Sequence, residues 1–359
     1  MATPLLRESE YVEILSRLTL NRLDTDAAVR FLSTLNAQER EDLVSLANSH
    51  HVIVRALTPV LASTIASEDL KNWAAKVILT ESERISNALF YLQEICNRLE
   101  RGGCKVTVMK SLDHWPDLGN DLDLYTTTDE RQVQQILIGH FKAKIEPRSW
   151  GDRLAHKWNF AIPGLPEAIE VHAQRLGQTG EHTLLAQRFV TRRVIRTLEH
   201  RSFFVPAPEE RIVVATLQRM YRHFYFRICD IANTAALVQA EAIDFRELKA
   251  STEPAGIWPG VATYLAIVSD HVKRYQGTPL ELPEEVIAAA CFGGDVLRTR
   301  ARFLRVPLMP HGARLYTHQV KTAAFNGDVP ATFRLSLLPP LASAAVVAFK
   351  LTGSDKGVW

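Results

Sequence analysis

The chain has 359 residues, enough for two domains or for one domain with helical extensions, and 47% of them are apolar, as in an ordinary globular protein. Its 42 basic and 40 acidic side chains leave a formal charge of only +2, which excludes the strongly basic footprint of a general nucleic-acid binder. Four cysteines, Cys96, Cys104, Cys229 and Cys291, lack the paired spacing of a disulfide framework or a zinc motif.

Met1-Ala2-Thr3-Pro4 has no basic region running into an apolar core, so no signal peptide is expected, and a reduced, cytoplasmic setting follows. Residues 8–66 carry helical spacing, with Tyr11, Ile14, Leu15, Leu18 and Leu20 on one face and a second helix opening at Ala37. The strongest helical pattern covers 77–100, where Ile85, Ala88, Leu89, Leu92, Ile95 and Leu99 recur at three and four before Gly102-Gly103 stops it. Residues 105–176 are mixed. Strand patterns fall on Val106–Met109, Leu122–Tyr125, Lys142–Ile145, Trp158–Ile162 and Ala168–Ala173, with a capped helix from Glu130 to Phe141 and a turn at Pro163–Pro166. Asp113, His114 and Asp117 read as a polar surface loop, and the basic stretch 181–205 reads as a linker. Helices are expected from Pro208 onward. The apolar run from Leu335 to Leu351 is interrupted by Pro339-Pro340, too short to span a bilayer, and expected as a packed terminal helix. This divides the chain into a helical segment (1–76), a mixed core (77–176) and a helical domain (177–359). The fold class is α/β in the α+β sense: a small mixed sheet with helices on one face, flanked by helical segments.

The chemistry concentrates in Asn120-Asp121-Leu122-Asp123-Leu124-Tyr125. Side chains alternate along a strand, so Asp121 and Asp123 project together while Leu122 and Leu124 face the core. Two adjacent carboxylates repel unless a cation lies between them, and oxygen ligands on a rigid strand suit Mg²⁺. Glu170, in Ile169-Glu170-Val171-His172, supplies a third carboxylate if its strand pairs beside the first. His172 shares the Glu170 face and can orient it or meet a phosphate. Lys110, at the end of the first strand, is placed to pair with phosphate as a point charge. Arg148, Arg153, His156 and Lys157 surround the same hairpin and together can offset triphosphate charge.

Residues 95–137, with Lys110-Ser111 and the D-x-D strand, resemble the core of the polymerase-β-like nucleotidyltransferase superfamily, and more narrowly its uncharacterised bacterial nucleotidyltransferases. Residues 41–57, 205–238 and 243–250 are similar to that family's flanking helical segments. The resemblance implies metal ligation and catalysis by Asp121, Asp123 and Glu170, nucleotide contacts from Lys110, Ser111 and His172, and Mg²⁺ or Mn²⁺ as the cofactor. It implies transfer of a nucleotidyl group from an NTP such as ATP to a small-molecule or protein acceptor, with no membrane partner. Three positions depart from the family pattern: Ser111 replaces a glycine, Asp117 an arginine and Asn120 a serine. These leave the carboxylates intact but bear on nucleotide affinity and base choice. They favour the alternative of a non-catalytic nucleotide-binding or regulatory protein on the same scaffold. A toxin-like transferase acting on tRNA or protein is a further alternative, disfavoured for tRNA by the near-neutral charge. Arg219, His223, Arg227 and Asp230 are spaced by four, four and three, so a continuous helix puts them on one face. The resemblance then implies that His223 and Asp230 face the cleft on the acceptor side.

Overall fold

The computed structural model describes residues 4–20, 25–300 and 302–352. Met1–Thr3, part of the stretch that bears on a signal peptide, lie outside these.

Five helices come first: α1 (Pro4–Leu20), α2 (Asp26–Thr34), α3 (Ala37–Ser49), α4 (Ile53–Ala62) and α5 (Glu68–Arg101). Asn36 and Glu39 form a reciprocal capping box on α3, which fixes its start. α5 begins nine residues before the periodic stretch at 77–100, because Ser67 accepts a hydrogen bond from the Leu70 N–H and Glu68 and Asp69 sit where the helix dipole favours acid. At 34 residues it is about 51 Å long. Leu70 and Ala74 pack with the other N-terminal helices, whereas Leu89, Leu92 and Ile95 pack behind the sheet. One helix therefore ties two cores together.

The sheet comprises β1 (Val106–Met109), β2 (Asp121–Thr126), β3 (Lys144–Ile145), β4 (Lys157–Ile162) and β5 (Leu165–Ala173), in the order β1-β2-β5-β4-β3. All pairs are antiparallel except β2 with β5, which run parallel. α6 (Glu130–Phe141), capped by Asp129, and the short α7 (Trp150–Leu154) lie in the β2–β4 crossover. Gly164, at φ +83°, makes the β4–β5 turn; a Cβ there would fall 2.4 Å from the Tyr91 hydroxyl. Leu122, Leu124, Ile169 and Val171 point back toward α5, leaving Asp121, Asp123, Glu170 and His172 on the opposite face.

Residues 181–205 are not a linker. They form α8 (Leu184–Thr191) and the hairpin β6 (Arg193–Leu198) and β7 (Arg201–Pro206), with Phe203 and Val205 buried in the sheet's core. Their basic residues are structural: Arg188 and Arg192 pair with Glu209, Glu210 and Glu247, and Arg193 pairs with Glu100.

Downstream lie α9 (Pro208–Thr216), a π-helical turn (Leu217–Arg222), β8 (Tyr225–Phe226), α10 (Ile228–Gln239), α11 (Phe245–Thr252), α12 (Trp258–Gln276) and α13 (Glu284–Ala289). β9 (Arg298–Arg300), β10 (Phe303–Arg305), α14 (Ala313–Phe325), α15 (Val329–Ser336) and α16 (Leu338–Thr352) complete the described chain. Leu15, Leu18 and Leu57 share one core with Val213, Ile231, Val261 and Leu265, so the amino-terminal helices pack on the helices that follow the sheet.

The terminal apolar run is packed mainly at its start, where Leu335 is buried with Ala323 and Ala331. Val346, Val347 and Leu351 are 56%, 55% and 79% exposed. Pro339-Pro340 start α16 rather than break it, since proline is tolerated in a first turn. Val329–Ala348 is long and apolar enough to cross a membrane by length and composition, with 11% of it buried.

Loop 111–119 is also buried rather than solvated. Asp117 accepts from the Val54 and Arg55 N–H groups at 2.6 and 3.1 Å, capping α4 from 62 residues away. Burial pushes its carboxyl up to about 7 against those donors. A raised carboxyl is most favourable protonated, so Asp117 removes stability as pH rises from the unfolded value of 3.8 through about 7. Asp117→Ala strands the two N–H groups and should lower the unfolding free energy by about 2–4 kcal/mol in urea titrations at neutral pH. Asp117→Asn keeps an acceptor and should stay within about 1 kcal/mol of the parent. Equal losses in both variants would contradict the capping role.

Candidate active site

Parallel pairing of β2 with β5 sets Asp123 opposite Glu170 and Tyr125 opposite His172. The carboxylate oxygens of Asp123 and Glu170 and an imidazole nitrogen of His172 all lie within 4.8 Å of one another, and the three residues are buried. His172 Nε2 is 2.7 Å from Glu170 Oε1 and 3.8 Å from Asp123 Oδ1. Asp121 lines the same cavity from an exposed position; the compact set contains His172 in its place.

Two lysines neutralise the pair. Lys110 Nζ is 2.7 Å from Asp123 Oδ1, and Lys157 Nζ is 2.6 Å from Glu170 Oε2. The first contact is an ion pair only, for Asp123 Oδ1 is buried without a directed hydrogen bond. Lys110 sits at φ +40°, a strained conformation for a side chain other than glycine. Ser111 is turned inward: its hydroxyl accepts from the Asp123 N–H at 2.8 Å and donates to the Asp121 carbonyl at 3.2 Å. It steadies the D-x-D strand through that pair of bonds.

Although Asp121 is solvent-accessible, desolvation by the surrounding cavity walls and then the neighbouring Asp123 and Glu170 raise its carboxyl. Glu170 moves the other way. Burial opposes its ionisation, but Lys110, the His172 hydrogen bond and Lys157 together outweigh that and hold it well below the usual carboxylate range. So held, Glu170 is a weak proton acceptor and a good anchor for cations. The carboxylates fit a divalent metal: Asp123 and Glu170 are buried side by side on one rigid face, Asp121 lines the same cavity, and one Asp123 oxygen lacks a hydrogen bond. The lysine ammoniums stand beside the oxygens such a cation would engage.

The opposite wall comes from the π-helical turn and β8. A cavity of about 230 Å³ is lined by the carboxylates, Lys110, Lys157, His51, His114, Arg219, Arg222, His223 and Arg227. The expected continuous helix over 219–230 is not formed. The chain leaves the π-helical turn at Arg222, passes Phe224 at φ +53°, and pairs Tyr225 and Phe226 with Arg305 and Leu304 before α10 begins. His223 consequently lines the cavity. Asp230 does not: it is buried behind the wall, 2.7 Å from Arg219 Nε, and accepts from the Arg227 N–H at 2.7 Å.

Burial, followed by nearby guanidinium or imidazole groups, holds His51, His114 and His223 well below the ordinary histidine value, so all three are neutral at pH 7. The wall's charge is that of its arginines. Asp230 neutralises Arg219, whereas Arg222 and Arg227 form no ion pair with any described residue. Arg148 and Arg153 do not line the cavity; Arg148 lies over Trp158 at 3.7 Å and Arg153 over Trp150 at 5.7 Å. Sequence reasoning missed Arg222 and His51, which the π-turn and the packing of the amino-terminal helices bring here, and read His114, in the loop after β1, as surface polarity.

No protein-family model and no curated protein sequence matches this chain. Among solved structures, the crystal structure of an antigenic nucleotidyltransferase-like protein from Paracoccidioides brasiliensis aligns with 56% of this chain and 97% of its own, at 13% identity and a TM-score of 0.34. At that level the similarity is weak.

Because Glu170 is held below its unfolded value of 4.5, the stability it contributes is present above that value and lost as pH falls through its folded one. Glu170→Gln should therefore flatten the acid limb of the stability curve below about pH 4.5, measured by urea unfolding across pH. An unchanged limb would show that the lysine and histidine contacts do not hold the carboxylate. Arg219→Met should cost about 3–5 kcal/mol, since it leaves Asp230 buried and unpaired. A loss below 1 kcal/mol in the same titration would contradict that pairing.

Proposed function

We propose that this protein transfers a nucleotidyl group from an NTP to an acceptor, with a divalent metal held at the D-x-D face. The observation that carries the reading is the register of β2 on β5, which lines Asp121, Asp123 and Glu170 along one wall of a cavity whose other wall presents Arg222 and Arg227. Carboxylates facing guanidiniums that have no carboxylate partner among the described residues suit a metal–triphosphate, in which cation and anion need opposite partners. The resemblance of residues 95–137 to the nucleotidyltransferase core supports the same reading.

Mg²⁺ or Mn²⁺ would be held by Asp121, Asp123 and Glu170, with His172 steadying Glu170 through their hydrogen bond. The metal would supply charge neutralisation at the transferring phosphoryl group. Lys110, Lys157 and Arg227 would bind the remaining phosphate oxygens. A deprotonated acceptor oxygen then attacks the α-phosphorus, the bond to the oxygen bridging the α- and β-phosphorus breaks, and pyrophosphate departs with that electron pair. Glu170 anchors in this scheme and does not act as the base, in keeping with its depressed carboxyl.

A second reading, nucleotide binding without catalysis, is favoured by Ser111, whose hydroxyl is committed to the strand rather than open to phosphate. Both readings require binding, and only the first requires turnover. Mg²⁺–ATP, or another NTP with Mg²⁺, should raise the melting temperature, with about 2.7 kcal/mol of added stability at a hundredfold excess over Kd. Asp123→Asn should abolish the metal-dependent part. Asp121→Asn should do the same while leaving the metal-free protein as stable or more so, because it removes a repelling charge. No thermal response to any NTP with Mg²⁺ or Mn²⁺ would reject both readings.

A further inference from the structure

The carboxylate cavity does not end at Arg222. A narrow space of about 40 Å³ adjoins it, sharing Lys110, Gln218 and Arg222 as lining, and is also lined by Gln178 and Tyr221. Beyond lies a groove of about 420 Å³, lined chiefly by apolar side chains including Phe224, Leu308, Met309, Tyr316, Leu338 and Ala342. Arg222 lines all three spaces, and its guanidinium makes no hydrogen bond or ion pair with another described residue. Two other polar groups along the lining are engaged: Gln178 Nε2 donates to the Tyr221 carbonyl at 2.7 Å, and the Glu181 carboxylate accepts from the Thr179 N–H at 2.9 Å. A cation without a partner therefore stands between a polar reaction cavity and an apolar groove, whose rim holds Leu308 at 58% and Met309 at 70% exposure.

We infer that the groove holds the body of the acceptor, an amphiphile whose anionic oxygen head, phosphate or carboxylate, meets Arg222 and whose aliphatic or aromatic tail lies along Phe224, Tyr316, Leu338 and Ala342. The assignment rests on the nucleotidyl-transfer reading. The position of Arg222 in the lining of both the carboxylate cavity and the groove sets the head end, and the apolar lining sets the tail end. An anionic head also suits the chemistry. Its oxygen is already deprotonated, so it forms the new bond to the α-phosphorus as the bond to the pyrophosphate oxygen breaks.

The test titrates the full chain with octyl phosphate, octanoate, octanol and ethyl phosphate below their micelle concentrations, by calorimetry, with Mg²⁺–ATP binding measured separately. Burial of a methylene is worth roughly a fourfold gain in affinity, so octyl phosphate should bind at least tenfold tighter than ethyl phosphate. Octanol should bind more weakly than both octyl anions, and the tighter of those two identifies the head. Ala342→Trp, at an exposed position that fills the groove, should remove the tail's contribution and leave ethyl phosphate binding unchanged. Arg222→Gln should weaken both octyl anions at least tenfold and spare octanol. Equal affinities for octyl and ethyl phosphate, or no effect of Ala342→Trp, overturn the groove assignment whatever ATP does. Tail-dependent binding without any Mg²⁺–ATP response overturns the nucleotidyl-transfer reading instead.

Discussion

The parallel pairing of β2 with β5 is the constraint on which the rest of the site depends. It sets Asp123 directly beside Glu170 on one face of the sheet. Two buried carboxylates at that spacing cannot both stay ionised unless cations accompany them. Lys110, from the end of β1, and Lys157, from the start of β4, provide those cations from either side of the strand pair. The order β1-β2-β5-β4 is therefore also the order lysine, carboxylate, carboxylate, lysine across the sheet. A metal bound there would release ammonium groups already aimed at the space where phosphate would lie.

The second wall is held by a different device. Asp230 is buried, pairs with Arg219 and caps the turn into α10 through the Arg227 N–H. That one carboxylate fixes the segment from which Arg222 and Arg227 reach the cavity. The amino-terminal helices reinforce it: His51, which follows α3, contacts Arg227 at 2.5 Å, and Asp117 ties the loop after β1 to α4. The helices on both sides of the sheet thus share a core and also complete the cavity lining.

What was legible in the sequence was what short-range chemistry dictates. Val106–Met109 is a strand as read, and the Leu122 and Leu124 alternation set the D-x-D face correctly, because a half-buried strand shows its period in four residues. The acid-capped helix at Glu130 followed from Asp129 in the same way. The misreadings are non-local. Asp117 looks like loop polarity until α4 arrives to be capped, and the basic residues of 188–193 look like a linker until Glu209, Glu210, Glu247 and Glu100 pair with them. The π-turn at 217–222 is invisible to a 3.6-residue period, so Arg222 could not be assigned and Asp230 was turned toward the cavity instead of behind it. The terminal run carried an apolar composition that fits a packed helix and an exposed one equally; α16 is the exposed kind.

The central claim is that the α-phosphorus is the reacting centre. The most direct measurement compares ATP labelled at the α- and at the γ-phosphate, incubated with the full chain, Mg²⁺ and an acceptor-containing small-molecule fraction or protein extract. The account predicts that the α label enters product, that the γ label leaves as pyrophosphate, and that Asp123→Asn stops both. Entry of the γ label into product, or retention of both labels in ATP with every NTP and acceptor fraction, would contradict it.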